Sequence, residues 1–312
     1  MVKVTTPVTL QEIPLHVQDL LTSREVARAE KNFAESDKLR AEIMDLGYEV
    51  NDNPGGYKLT KLGDEGKKPE KTYLILFGSG EISPTSVDIY RRTFLTFGKR
   101  DIKIALVTTP AGFQPNVARV YGEIKDFLLA SLPDFNLQIE IIFANNLFDS
   151  NNLEIANQIE GSDVIFLGPG SPTYAVKHLK DSLLLAKIKA QIKNGSSLIL
   201  ASAATITFSK YALPVYEIYK VGEDLHWIDG LDLYKDIWHE TTIIPHFNNL
   251  EGGEGLDTTH CYIGKDRAAK LFAMLPKDTN LIGIDEHTAL IIDLFDQSQL
   301  VRGKNTIHKI DL

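Results

Sequence analysis

The spacing of apolar positions changes character partway along the chain. In "PLHVQDLLTSREVARAEKNFAESDKLRAEIMDLGYEV", Leu15, Val17, Leu20, Leu21, Val26 and Ala27 recur near helical spacing. Phe33, Leu39, Ile43, Met44 and Leu46 do so again, which predicts a pair of helices stopped at Gly47. Turn chemistry in "NDNPGG" and a short strand over 57–62 follow. "GDEGKKPEK" is polar, charged and rich in breakers, and reads as a linker. Beyond it, short apolar runs ("TYLILFG", "IKIALVT", "IEIIFA", "DVIFLG", "SLILAS") alternate with helical stretches over 87–97, 117–129 and 175–192. That alternation predicts an α/β fold, a mostly parallel, doubly wound sheet with helices on both faces. The expected division is a helical appendage over 1–62, a linker over 63–71 and the α/β domain over 72–312.

Composition narrows the setting. The 312 residues are 43% hydrophobic and 24% charged, ordinary for a globular protein. No apolar run approaches the roughly 18 to 20 residues of a membrane span, so no membrane association is expected. The N-terminal residues lack the basic-then-apolar layout of a signal peptide, and a single cysteine, Cys261, fits a reducing compartment. A cytoplasmic location is the expectation. The net charge of −9 provides no global field for nucleic acid.

Ligands of such sheets sit beyond the carboxyl ends of the strands. Here those ends are small or turn residues, among them Gly78-Ser79-Gly80, Gly168-Pro169-Gly170-Ser171 and Ala201-Ser202-Ala203. Ser202 is either a nucleophile on a strained strand-to-helix turn or a serine capping the next helix; Leu200 and Ala204 occupy places where a nucleophile elbow usually has glycine. The "GPGSP" loop can present backbone N–H groups to an oxyanion or carboxylate, or serve as an ordinary connection. His246 ends a strand-like run in "TTIIPHFNN", beside an acidic, glycine-rich loop. Glu251, Asp257, His260 and Cys261 imitate a metal site, but their spacing matches no standard ligand motif and no metal is expected. In "LIGIDEHTALIIDL" the acids Asp285 and Glu286 interrupt two apolar runs; they form an exposed hairpin-like turn or have a partner, with His246 one candidate.

Taken in order, "GPGSP", "ASAAT", "PHF" and "IGIDEHTAL" resemble the serine peptidase family of aspartyl dipeptidase and cyanophycinase, over about residue 73 to the end. The resemblance implies a class I glutamine amidotransferase-like fold and an amide or peptide hydrolase without a cofactor. It makes Ser202 the nucleophile, His246 the base and Glu286 the acid that orients the base. Gly170, Ser171, Ala203 and Asn248 become the oxyanion and substrate-binding candidates. Ser171-Pro172 stands where cyanophycinase has Asp-Gln, and "NNLEGGEGLD" lacks its closely spaced arginines, so an aspartyl-rich polymer is not the expected substrate. A small peptide or amide is. Cys261 lies beyond the candidate base, unlike the cysteine of true glutamine amidotransferases. The alternative is a silent amidotransferase-like module that binds a small ligand and is tethered to tRNA or a protein.

Residues 20–59 resemble the C-terminal helical element of cysteinyl-tRNA synthetases, on "LLTSREVARAEKNFAESDKLRAEIMDLGYEVNDNPGGYKL". The synthetase's nucleotide-binding motifs are missing. Arg24, Arg28, Lys31, Lys38 and Arg40 would form a basic stripe for tRNA, but acids interleave them almost one for one. A solvated face is the preferred reading, and the pair would dock, form a homodimer or cover a sheet edge.

Overall fold

The structure, a computed structural model, describes residues 5–7, 15–45, 48–53, 56–62 and 71–312. Contacts divide the chain into two units, Met1–Lys68 and Pro69–Leu312. Of the expected linker only Lys71 is described; Gly47, the expected helix stop, also lies outside the described residues.

In the smaller unit α1 (Leu15–Ala29) and α2 (Phe33–Asp45) form the expected pair. Three strands accompany them: β1 (Thr5–Pro7), β2 (Tyr48–Asn53) and β3 (Gly56–Leu62), antiparallel in the order β1-β3-β2. Asn51–Asn53 thus extend a strand rather than form a turn, with Asn53 opposite Gly56. Val17, Leu21, Ile43, Tyr48, Val50 and Leu59 make the core. Val26 and Phe33, expected on the apolar face, are 53% and 60% exposed. Arg24 is 1% exposed and places Nη2 2.8 Å from both Asp52 oxygens. A residue expected on a basic surface stripe is a buried ion-pair partner.

The larger unit is built on β4 (Tyr73–Phe77), β5 (Asp101–Val107), β6 (Asn136–Ile142), β7 (Val164–Leu167) and β8 (Ser197–Ala201). They run parallel in the order β4-β8-β7-β5-β6. Strand alternation sends Leu74, Leu76, Ile165, Leu167, Leu198 and Leu200 to one face and Ile75, Phe77, Val164, Phe166 and Ile199 to the other. The second face is covered by α3 (Pro84–Leu95) and α4 (Val117–Ser131). After β6, α5 (Leu147–Ser150) and α6 (Leu153–Asn157) lead into β7; α7 (Pro172–Leu179) and α8 (Leu183–Lys193) lead into β8, and α6 and α8 pack on the first face. The sequence expectation of one helical stretch over 175–192 fails in the middle. Asp181 takes φ 57°, and Ser182 Oγ accepts from Leu185 N, starting a new helix.

After β8 come α9 (Ala203–Thr207), a two-residue ladder of β9 (Tyr211–Ala212) with β10 (Ile228–Asp229), and α10 (Tyr234–Ile237). β11 (Thr242–Ile244), α11 (Lys265–Phe272), β12 (Leu281–Ile284), β13 (Thr288–Asp293), β14 (Gln299–Gly303) and β15 (Ile307–Ile310) complete the unit. β13 and β14 extend the main sheet antiparallel beyond β4, whereas β11, β12 and β15 form a second sheet. The apolar runs flanking Asp285–His287 therefore belong to different sheets, and the segment is a crossing between them, so the hairpin-like alternative does not hold. Buried Asp285 is compensated there, with Oδ1 2.9 Å from His308 Nε2 and Oδ2 accepting from Thr306 N. Among the described residues no helix is long and apolar enough to cross a membrane.

Candidate active site

The carboxyl ends of β4, β8 and β11 converge with the β12–β13 crossing. Ser202 N donates to Phe77 O at 3.2 Å, and His246 N donates to Gly78 O at 3.2 Å, so both turns are tied to the end of β4. Gly78 must be glycine for this approach, because a Cβ there would lie 2.2 Å from Asp285 O.

Ser202 has φ 51° and ψ −114°, and its hydroxyl makes no capping bond to α9. A serine held there stores on the order of 1–3 kcal/mol of backbone strain, which the surrounding structure must offset. The result is that Oγ lies 2.9 Å from His246 Nε2. His246, with φ 50°, places Nδ1 2.8 Å from Glu286 Oε1. The carboxylate partner on Nδ1 assigns the proton to that nitrogen and leaves Nε2 as the acceptor for the hydroxyl. Glu286 is anchored on two sides: Asn249 Nδ2 donates to Oε1 at 2.8 Å, and the Glu286 N–H donates to Asn248 Oδ1 at 2.8 Å. The His246 contact first, and Asn249 after it, hold the Glu286 carboxyl below its ordinary value against the opposing effect of burial.

Residues 74–297 match the family model for peptidase family S51. The chain belongs to peptidase family S51. This is a family of serine peptidases. A solved peptidase from an acI-B1 Actinobacterium superposes with a TM-score of 0.59 at 21% identity, covering 78% of this chain and 93% of that one. Residues 10–57 match the cysteinyl-tRNA ligase anticodon binding domain. Cysteine–tRNA ligases of Chlamydia caviae and Oenococcus oeni are 49% identical over 51 residues and 42% over 52, covering 16% and 17% of this chain. The chain spans 11% of the length of each of these curated relatives.

Within this S51 unit, Leu200 and Ala204 explain how the turn forms without its usual glycines. Both are fully buried, and both belong to the apolar cluster on one face of the sheet. Their side chains pack into that cluster. Gly170, at φ 151°, is a different case: a Cβ there would fall 1.9 Å from Pro110 O. Its N–H makes no hydrogen bond among the described residues, and neither does that of Ala203, which opens α9. Both residues line one cavity of about 430 Å³ with Ser202 and His246.

Two expected binding residues are otherwise engaged. Ser171 N donates to Pro110 O at 2.8 Å, and its Oγ caps α7 by accepting from Tyr174 N. Asn248 spends its side-chain oxygen on Glu286 and does not line the cavity. The metal look-alikes are engaged with other groups: Glu251 with Tyr262 Oη, Asp257 with Thr259 and the Lys265 N–H, and His260 with the Thr259 hydroxyl and the Phe247 ring. Cys261 is buried and donates its N–H to His246 O, and burial pushes its thiol well above the ordinary range, unlike a reactive thiolate.

Asn249, Tyr262 and Glu81 were missed in the sequence. Asn249 is fully buried beside Glu286, one position from the asparagine that was singled out. Tyr262 lies with its ring centroid 5.7 Å from that of His246. It is delivered by a left-handed turn in which His260, Cys261 and Tyr262 all have positive φ, a backbone that no residue pattern announces. Glu81 is a buried carboxyl behind the site, and desolvation raises it above its ordinary value.

Proposed function

We propose that this S51 peptidase is an amide or peptide hydrolase of the aspartyl dipeptidase–cyanophycinase type that works through an acyl-enzyme. The observation that carries the reading is the continuous chain from Ser202 Oγ through His246 to Glu286, with contacts of 2.9 and 2.8 Å. In the first half-reaction the hydroxyl proton passes to His246 Nε2 as Oγ bonds to the carbonyl carbon. Glu286 stabilises the imidazolium, and the free N–H groups of Gly170 and Ala203 receive the oxyanion. The C–N bond then breaks, and the amine leaves with the proton from His246. In the second half, water attacks the ester and gives its proton to the same nitrogen; collapse restores Ser202 and releases the acid. No step requires a cofactor.

The silent-module alternative draws on Leu200 and Ala204. The positive φ at Ser202 and the packing of those two side chains support the hydrolase reading instead. The test is a screen of dipeptides and simple amides. Turnover by the wild type that disappears in Ser202→Ala is expected; turnover unchanged in Ser202→Ala removes the mechanism.

For the N-terminal unit we infer no tRNA-binding stripe. Arg24 is buried against Asp52, Arg28 bonds the same carboxylate at 3.0 Å, and Lys38 faces Glu35 at 3.8 Å. An electrophoretic shift of the full chain with tRNA at moderate salt would overturn this.

A further inference from the structure

We propose that the cavity beside Ser202 takes an apolar or aromatic side chain on the residue whose carbonyl is attacked, and selects against an acidic one. The inference rests on the hydrolase reading for naming that residue the acyl side; the chemistry of the walls stands by itself. Ile206 lies one turn of α9 beyond Ser202 and is 1% exposed, while Val215 is also buried. With Tyr216, Tyr219 and Leu256 they form much of the apolar lining. Tyr216 and Leu256 remain 39% and 52% exposed. These are apolar surfaces at the wall of a cavity, and a ligand side chain covering them gains free energy in proportion to the area removed from water.

Charge in the cavity points the same way. Among the described residues no arginine lines it, and its one lysine, Lys220, lies over the Tyr219 ring with Nζ 4.7 Å from the centroid. An anionic side chain brought against these walls would exchange water for apolar surface without a bidentate cation. It would also meet Glu251, which lines the same cavity and carries the Tyr262 hydroxyl at 3.0 Å. The segment bearing Tyr219 and Lys220 is a π-helical turn, Glu217–Val221, ending at Gly222 with φ 88°. Such turns recur at functional sites.

The experiment measures calorimetric binding of Phe-Ala, Leu-Ala and Asp-Ala to the full-length Ser202→Ala variant, so turnover does not intervene. Phe-Ala and Leu-Ala are expected to bind at least about tenfold more tightly than Asp-Ala, roughly 1.4 kcal/mol. Adding Tyr216→Ala, at a partly exposed position, should narrow that gap; adding Leu256→Arg, at an exposed position, should raise affinity for Asp-Ala. Thermal melting of each variant separates altered binding from failure to fold. Equal or tighter binding of Asp-Ala, or binding of none of the three, overturns the inference. Selective binding by Ser202→Ala combined with no hydrolysis of Phe-Ala by the wild type overturns the hydrolase reading and leaves the selectivity of the cavity intact.

Discussion

Replacing Asn249 by alanine strips Glu286 Oε1 of one of its two side-chain donors. The carboxylate would keep His246 Nδ1 at 2.8 Å and lose Asn249 Nδ2 at 2.8 Å. Asn249 is fully buried, so its removal leaves a small void more readily than a well-hydrated gap. A hydrogen bond to an ionised group contributes about 1.5–3 kcal/mol. In the proposed mechanism Glu286 is needed most when His246 becomes charged, so part of that energy acts on the transition state. If about half does, on the order of 0.8–1.5 kcal/mol, Ser202 reacts roughly four- to tenfold more slowly. The remainder appears as lower stability, since the Glu251 N–H also loses its acceptor on Asn249 Oδ1. The assay is the second-order rate of fluorophosphonate labelling, which needs no knowledge of the substrate, followed across pH with a thermal melt of each variant. Asn249 helps hold the Glu286 carboxyl down, so the acid limb of the profile should move to higher pH. The control is Glu286→Ala, in which the acceptor is gone. Asn249→Ala should slow labelling far less in that background. An unchanged rate and pH profile in the folded single variant would refute the reasoning, as would an equal loss in both backgrounds.

Other substitutions probe the frame around Ser202, His246 and Glu286. Gly170→Ala places a Cβ against Pro110 O and at φ 151°; displacing this N–H should cost about 2.7–4 kcal/mol of transition-state stabilisation, read as a loss of labelling rate. Leu200→Gly restores the usual elbow residue, yet it should lower stability by at least about 2–5 kcal/mol in urea unfolding without faster labelling, because Leu200 is fully buried. The Glu286 carboxyl is held below its ordinary 4.5, so its contribution is present above that value and lost as pH falls through the folded value. Glu286→Gln should therefore lose less stability than the wild type on acidification below about pH 4.5. Glu81 has the opposite sign: its folded value is raised by burial, so its contribution is full below 4.5 and declines as pH rises through the folded value. Relative to wild type, Glu81→Gln should be more stable at about pH 7 than at about pH 4, checked by urea midpoints at both.

What could be read in the chain was what periodicity and order carry. Alternating apolar runs announced β4 to β8, and the resemblance carried by four short motifs implied that Ser202, His246 and Glu286 come together. Local geometry was less legible. Ser171 was a binding candidate through the resemblance, and nothing in the sequence showed that its N–H and hydroxyl close the loop onto Pro110 and α7. Asn248 and Asn249 are chemically identical neighbours, and only the fold decides that one accepts from the Glu286 backbone while the other donates to its carboxylate. The mismatch at Leu200 and Ala204 looked like a defect in the elbow, because sequence spacing does not show which way a side chain leaves the turn. The stretch over 175–192 kept helical periodicity through a break that depends on Asp181 taking a positive φ. Arg24 looked like a surface charge because its partner, Asp52, lies on a strand that was read as a turn.

The most direct measurement is peptide mapping of the wild type and Ser202→Ala after treatment with a fluorophosphonate. The account predicts one adduct, on the peptide that carries Ser202, and its disappearance in Ser202→Ala. An adduct on another peptide, or labelling retained in the variant, would contradict it.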